Sequence, residues 1–480
     1  MNERNLKNYF YNLSYQILMV ISPLITTPYI SRVLHADGVG VYSYTFTLAT
    51  AFSLFATLGA NTYGQREIAY CQDDIVKRTK SFWEIFIGRM IITVIVGIVY
   101  IIFCFVYKEY TYYLFLQSFL VFSNMIDISW FYQGLEDFKV IAIRNIFIKL
   151  FTVVMIFCVV KKASHVGRYI LINSLSTFAS YLFFFIGLKK RIVKVQLSEL
   201  NLRRHLKGSL EFFIPLIATQ IYSQLDKIML GVITSNTLEN GYYEQARKIV
   251  NILVMVLTSI NSVMYPRISY LFVKGKRNEI IESYITSLKM IFLFLMPMML
   301  GICMIADSFV VWFFGSEYVP VAPLMKLSSL LLVFMALGNF IGMQYLSPMG
   351  MQKKMTKAYL TAVVVNFCLN LLLIPQLYSV GALIASIIAE AVSCFIQLYY
   401  FRKSEYSIPI LKPMLKYVEA SLIMGSVLVM FNTIFPMRGV IQTLVDIVLG
   451  GMVYVASLVL VREDLIKLFF YKLKLFKKTE

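Results

Sequence analysis

The sequence predicts an all-α integral membrane protein of about fourteen transmembrane helices. They are expected as two six-helix lobes related by a parallel pseudo-twofold, followed by two C-terminal helices. Three observations predict this. Apolar stretches long enough to cross a bilayer recur along the whole 480-residue chain. The loops between them alternate between basic and nearly charge-free. Motifs of the first half return in the second, at spacings near 200 residues.

The stretches come first. The chain is 59% hydrophobic and 15% charged, with a mean hydropathy of +0.72. A soluble domain of this size carries more charge, because its surface must be wetted. About 20 apolar residues make a helix long enough to span the hydrocarbon. In chain order the predicted spans are 9–33, 40–62, 83–107, 112–132, 142–160, 167–188 and 209–233, then 242–264, 285–306, 322–346, 357–376, 380–401, 413–434 and 440–461. No cleavable signal peptide is read, since the first apolar run continues too far.

The net charge of +19 invites a nucleic-acid reading, and its distribution argues against one. With the N-terminus placed inside, outer loops and their edges hold only Arg32, Lys108, Lys161, Lys162, Arg168 and Arg438. Arg89, Lys227, Arg247, Lys248 and Lys326 fall within spans, and the remaining Lys and Arg fall in inner loops or at their edges. This is the positive-inside pattern, with both termini cytoplasmic. Topology together with attraction to anionic lipid heads accounts for nearly all the basicity. The six cysteines are scattered, mostly inside spans and without a CxxC, so they read as small core hydrophobes.

The longest polar interruption, roughly 189–207, separates the halves. IPLIATQIY at 214–222 echoes SPLITTPYI at 22–30, GYYEQA from Gly241 echoes GVYSYT from Gly40, and NSVMYPRIS from Asn261 echoes NTYGQREIA from Asn61. An even number of spans per repeat gives both halves the same orientation, with a cavity between lobes. The domains are therefore expected at 1–195, 205–403 and 411–462, with a basic cytoplasmic tail at 463–480. Pro23, Pro28, Pro215 and Pro297 fall in or near the starts of spans, as packing irregularities or as hinges. Outer loops are short, the longest being 307–321, and no extramembrane segment is large enough to fold alone.

No catalytic constellation is found. His35, His165 and His205 fall in loops without a partner pattern, and there is no nucleophile elbow, phosphate loop or HExxH. Function should then sit at charges inside the apolar stretches, which are expensive there unless paired or wetted. Spans seven and eight supply Asp226, Lys227, Glu244, Arg247 and Lys248, and Arg32 lies at the matching depth of span one. Glu244 shares a helix face with Arg247 and Lys248 by its i,i+3 and i,i+4 spacing. Cations there suit a phosphate or diphosphate. Asp226 and Glu244 either neutralise those cations in the empty state or bind a coupling proton or sodium ion. Glu390, in mid-span twelve, is a further candidate for coupling, against a buried neutral acid bonded to a neighbouring helix. Arg89 and Asp127 are candidates for a buried structural pair; Asp446 and Lys326 are weaker cases of the same kind as Glu390. Trp130 and Tyr132, at the inner end of span four, read as interfacial belt residues.

PLITTPYISRVLHADGVGVYSY, GANTYGQREIA, DISWFYQGLEDFKVIAIRN, DKIMLG, GYYEQARKI and SPMGMQKKM resemble the polysaccharide flippases of the Wzx type. These belong to the multidrug/oligosaccharidyl-lipid/polysaccharide exporter superfamily. The resemblance runs from about residue 8 to 400, and WFYQGLE is its most specific part. It implies twelve core helices in two lobes plus two more. It implies a substrate, an undecaprenyl-diphosphate-linked oligosaccharide moved from the inner to the outer leaflet of the bacterial cytoplasmic membrane. It assigns the diphosphate or sugar to Arg32, Lys227 and Arg247. One departure stands at the first outer turn, where the usual VLGA reads VLHA, with His35 for glycine.

The expected protein is thus a flippase serving capsule, exopolysaccharide or O-antigen assembly by alternating access. It is not an enzyme. It needs no metal and no cofactor beyond a coupling sodium ion or proton. Its partners are the bilayer and the lipid-linked oligosaccharide, with polysaccharide polymerase machinery as a further candidate and no nucleic acid. A monomer is expected. Alternatives are a multidrug or cation antiporter, a peptidoglycan lipid-precursor flippase of the same superfamily, and, from another class, a membrane polysaccharide polymerase. An acidic cavity would favour the antiporter, and large outer loops the polymerase.

Overall fold

A computed structural model describes residues 3–196, 200–461, 463 and 465, without the side chains of 3–17, 214, 215, 218, 219, 221–223 and 411. The side chain of Pro215 and nearly all of the expected basic tail therefore lie outside the described residues. Among the described residues every regular element is helical, and the chain divides into two compact units, Met1–Gly241 and Tyr242–Glu480.

The first unit contains α1 (Glu3–Thr57), α2 (Ala60–Tyr70), α3 (Ile75–Val106), α4 (Thr111–Ile126), α5 (Ser129–Gly134), α6 (Phe138–Val159), α7 (Val166–Leu182) and α8 (Leu202–Thr234). α9 (Thr237–Val273) begins in it and continues in the second unit. There follow α10 (Arg277–Phe313), α11 (Val321–Phe340), α12 (Gln352–Arg402), α13 (Leu411–Ile434) and α14 (Gly439–Leu460). In the first unit α1 packs on α3, α4, α6 and α8, and α8 also packs on α2 and α3. In the second, α10 is central, against α11, α13 and α14.

Among the described residues eleven helical stretches are long and apolar enough to cross a bilayer. By that measure the expected fourteen are not all counted. α1 and α12 each hold two of the predicted spans, and α8 is not one of the eleven. α3 shows why these helices suit lipid: Ile91, Ile95, Ile98, Ile102 and Phe105 are exposed along it, while Gly88, Arg89, Thr93, Gly97 and Tyr100 are buried. The small and polar residues face protein and the branched apolar ones face outward, the reverse of a soluble helix. Asp74 caps its start, accepting from the Val76 and Lys77 backbone N–H at 3.1 and 3.0 Å. The Lys77 bond holds that carboxyl below the usual range.

The sharp break inside α1 is at His35, not at Pro23 or Pro28, which lie in helical backbone. His35 has φ 60° and ψ 177°, a conformation that suits glycine and costs other residues about 1–3 kcal/mol. The glycine that VLGA would place here is thus the residue the backbone asks for. Replacing His35 with glycine should raise stability by about 1 kcal/mol after glycine's own entropy is deducted, read as a higher unfolding midpoint in detergent. α12 breaks likewise at Tyr378, φ 51°, three residues after Pro375. There a Cβ on Gly381 would stand 2.4 Å from the Leu373 carbonyl oxygen, so only glycine lets the chain fold back so closely.

Just past the His35 break, Gly40 meets the start of α9. A Cβ on Gly40 would lie 1.7 Å from the Thr237 carbonyl oxygen, and one on Gly241 would lie 2.2 Å from that of Ala36. Thr237 Oγ1 donates to Asp37 Oδ1 at 2.9 Å beside them. The two glycines that the sequence repeat pairs are therefore the two that touch. Gly40→Val should destabilise by about 1–3 kcal/mol, because backbone rather than a side chain must yield, and a thermal melt beside wild type measures it.

Two expectations about the helix ends are corrected. The longest predicted outer loop, 307–321, is mostly helix: α10 continues to Phe313. Trp130 and Tyr132 are not belt residues. Asp127 and Ile128 interrupt the helix, and α5 turns in against α2. Trp130, Phe131 and Tyr132 are wholly buried, the indole stacks near Phe82, and a Cβ on Gly64 would stand 2.5 Å from its ring. Tyr132 donates its hydroxyl to the Phe184 carbonyl at 2.5 Å.

Candidate functional site

Two sets of buried polar groups lie side by side in the first unit. At the end of the helices predicted to face the cytoplasm, Arg89 of α3 points inward. Its Nη2 donates to Asp127 Oδ2 at 3.0 Å and its Nη1 to Asn61 Oδ1, with side-chain exposures of 0% for Arg89 and 2% for Asp127. Low dielectric makes such a pair strong once formed and a lone member costly. Asp127 Oδ1 also accepts the Ser129 backbone N–H at 2.9 Å, and Trp130 Nε1 donates to the Asp127 carbonyl at 3.1 Å. The ion pair thereby fixes the start of α5, where the most specific motif lies.

Beside it, Glu84 of α3, Tyr63 of α2 and His205 of α8 form a second buried group, with His205 Nε2 2.7 Å from Glu84 Oε2. Sequence reasoning missed it. His205 was expected in a loop without a partner; it is helical, buried and bonded on both ring nitrogens. One signal was available: Glu84 is a carboxylate inside the apolar run 83–107. Its partner was not legible, because residues 84 and 205 lie 121 positions apart. Arg144, expected at an inner edge, is buried too, donating to Ser180 Oγ at 3.1 Å and lying over the Phe184 ring.

The candidates for substrate and ion contact are distributed between the units. Arg32, exposed on α1, and Asp226 and half-buried Lys227 on α8 belong to the first. Asp226 is 5% exposed, and the Lys227 carbonyl accepts from Asn240 Nδ2 at 2.8 Å. Glu244, Arg247 and Lys248 belong to the second, half-buried on α9. Lys248 Nζ lies 3.9 Å from Glu244 and 3.3 Å from Gln245 Oε1, so the i,i+4 spacing does bring the first pair together. Glu390 is half-buried in the second half of α12, with Tyr359 and Cys394 as electrostatic neighbours. Asp446 accepts from Asn432 at 3.0 Å, and Lys326 pairs with Asp307 at 2.6 Å. Among the described residues no cluster of His, Cys, Asp and Glu is placed to hold a metal ion.

Long apolar helices enclosing paired and hydrogen-bonded charges define a multi-pass membrane protein with polar groups held inside it. The chain belongs to the polysaccharide biosynthesis protein family, whose model matches residues 5–272. It is 25% identical over 391 residues, 80% of this chain and 93% of the relative, to a putative O-antigen transporter of Escherichia coli strain K12. It is 26% identical over 241 residues, half of each chain, to the probable low-salt glycan biosynthesis flippase Agl15 of Haloferax volcanii. Among solved structures it shares the fold of the lipid II flippase MurJ, with a TM-score of 0.77 at 16% identity, covering 95% of this chain and all of that one. These relatives are named as transporters and flippases, in keeping with a protein that is not an enzyme.

Proposed function

We propose that this protein is a flippase of the bacterial cytoplasmic membrane that moves a lipid-linked oligosaccharide repeat unit from the inner to the outer leaflet. The observation that carries the reading is the similarity to a putative O-antigen transporter over most of both chains. The lipid would be undecaprenyl diphosphate, whose tail stays in the bilayer while the sugar–diphosphate head crosses on polar side chains. Arg32, Lys227 and Arg247 are the cations proposed to hold the diphosphate, as guanidinium and ammonium groups suit phosphate oxygens. Asp226, Glu244 and Glu390 are the carboxylates proposed to balance those cations or to bind a coupling cation. Fourteen spans, counting α1 and α12 as two each and including α8, with both termini cytoplasmic, are the topology proposed with it.

The function is tested by disrupting the gene in its own host. Surface polysaccharide should fall, and lipid-linked repeat units should accumulate in the membrane fraction. Unchanged surface polysaccharide with no accumulated intermediate contradicts the reading and favours an antiporter, for which drug efflux would be measured.

A further inference from the structure

The buried group around His205 has no part in the diphosphate site. Its Nε2 is 2.7 Å from Glu84 Oε2, and its Nδ1 is 2.9 Å from the Tyr63 hydroxyl. Glu84 Oε1 accepts the Asn201 backbone N–H at 2.6 Å. The His205 and Glu84 side chains are 3% and 6% exposed. The backbones crowd there as well. A Cβ on Gly208 would stand 2.3 Å from the Tyr63 ring, and one on Gly59 would stand 2.6 Å from the Ser209 carbonyl oxygen. The imidazole is thus seated where the start of α8 crosses α2 and α3. A crevice lined by Leu58, Glu84, Gly88, Arg89, His205 and Ser209 runs beside it.

Imidazole is the side chain that changes charge in the physiological range. Its partners here set the role of each nitrogen. An ionised carboxylate only accepts, so Nε2 carries the hydrogen toward Glu84. A tyrosine hydroxyl both donates and accepts, so in the neutral ring Tyr63 donates to Nδ1. A proton arriving from water binds Nδ1, and the Tyr63 hydroxyl turns to accept from it. No hydrogen bond is lost in either state and no other proton is displaced. The charge of the ring changes, and with it the strength of the contact. A buried carboxylate holds an imidazolium more strongly than a neutral imidazole.

Other charged groups around this crossing include Arg89 on α3, Arg66 and Glu67 on α2, and Arg204 and Glu211 on α8 itself, with Lys80 on α3 one turn before Glu84 and Arg203 and Lys207 flanking His205 on α8. Arg89 is committed to Asp127, and Arg204 lies 3.7 Å from Glu67 at the surface. α1, which also packs on α8, has no charged side chain between Gly38 and Thr57. The nearest charge to the ring is therefore the Glu84 carboxylate.

We infer that His205 is a proton-binding site, set between Glu84 and Tyr63, whose occupancy controls how firmly the start of α8 is held to α2 and α3. On the flippase reading above, on which this part rests, it is the place where a proton gradient acts on transport. A protonated ring tightens the crossing and a neutral ring loosens it.

The chain has three histidines, so imidazole-15N spectra of the full protein in lipid nanodiscs are sparse enough to read. The signals lost in His205→Gln should pass from the neutral to the doubly protonated ring pattern as the pH is varied across the range in which the protein stays folded. In Glu84→Gln their midpoint should move to lower pH, because the anion that favours the imidazolium is gone. One unchanging tautomer across that range overturns the site. Coupling is read from flipping of a lipid-linked oligosaccharide in proteoliposomes, as the ratio of rates with and without an imposed pH gradient. Wild type should give a ratio well above one, and His205→Gln a ratio of about one. A merely structural lesion lowers both rates and leaves the ratio. A ratio above one that survives in His205→Gln, or a wild-type ratio of one, overturns the coupling. No flipping by wild type under any condition removes the flippase reading instead, and the spectra still decide the proton site.

Discussion

Replacing Arg89 with alanine should destabilise the protein by about 3–5 kcal/mol, the range for removing one member of a buried ion pair. The guanidinium has no exposed surface and sits 3.0 Å from Asp127. Without it, the Asp127 carboxylate stays in low dielectric, held among the described residues by the Ser129 N–H at 2.9 Å. The damage then spreads to Trp130, which donates to the Asp127 carbonyl, and to the cluster it shares with Tyr63, Phe82 and Ile85. Arg89→Met combined with Asp127→Asn should recover most of the loss. The double variant leaves no charge uncompensated, and the introduced carboxamide keeps an acceptor for the Ser129 N–H. Unfolding of the single and double variants beside wild type in one detergent measures this. If the single variant is as stable as wild type, the pair contributes nothing and the account of this end of the protein is wrong.

Lys227→Ala together with Arg247→Ala should lower transport at least ~10-fold, with normal protein levels in the membrane. A charge-assisted hydrogen bond contributes roughly 1.5–3 kcal/mol, so two lost contacts to phosphate oxygens exceed one factor of ten. Lys248, which lies 3.9 Å from Glu244, is not assigned to the substrate, and Lys248→Ala should lower transport less. Surface polysaccharide in a host carrying each variant is the readout. Normal polysaccharide from the double variant removes Lys227 and Arg247 from the substrate site.

The helices were legible because hydropathy and length measure what a bilayer requires of each segment separately. Most predicted spans fall on helix, whereas 40–62 crosses the turn at Leu58–Gly59 and 112–132 the break at Asp127–Ile128. What was not legible depends on contacts between distant segments. A tryptophan at a helix end looks the same in sequence whether it faces headgroups or another helix, and Trp130 faces Phe82. His205 looked idle because Glu84 and Tyr63 are more than a hundred residues away. Breaks were sought at proline, which removes a donor, yet the backbone reverses its sign of φ at His35 and Tyr378, residue types that give no warning. The resemblance marked His35 as unusual, and the φ of 60° gives the departure its physical meaning.

Translocation itself is measured by placing a lipid-linked oligosaccharide on one leaflet of liposomes containing the purified protein. Sugar accessible to an external glycosidase should rise faster than in protein-free liposomes. The rise should be slowed by Lys227→Ala with Arg247→Ala. Accessibility that stays at the protein-free rate, with folded protein and several different repeat units, would contradict the flippase reading.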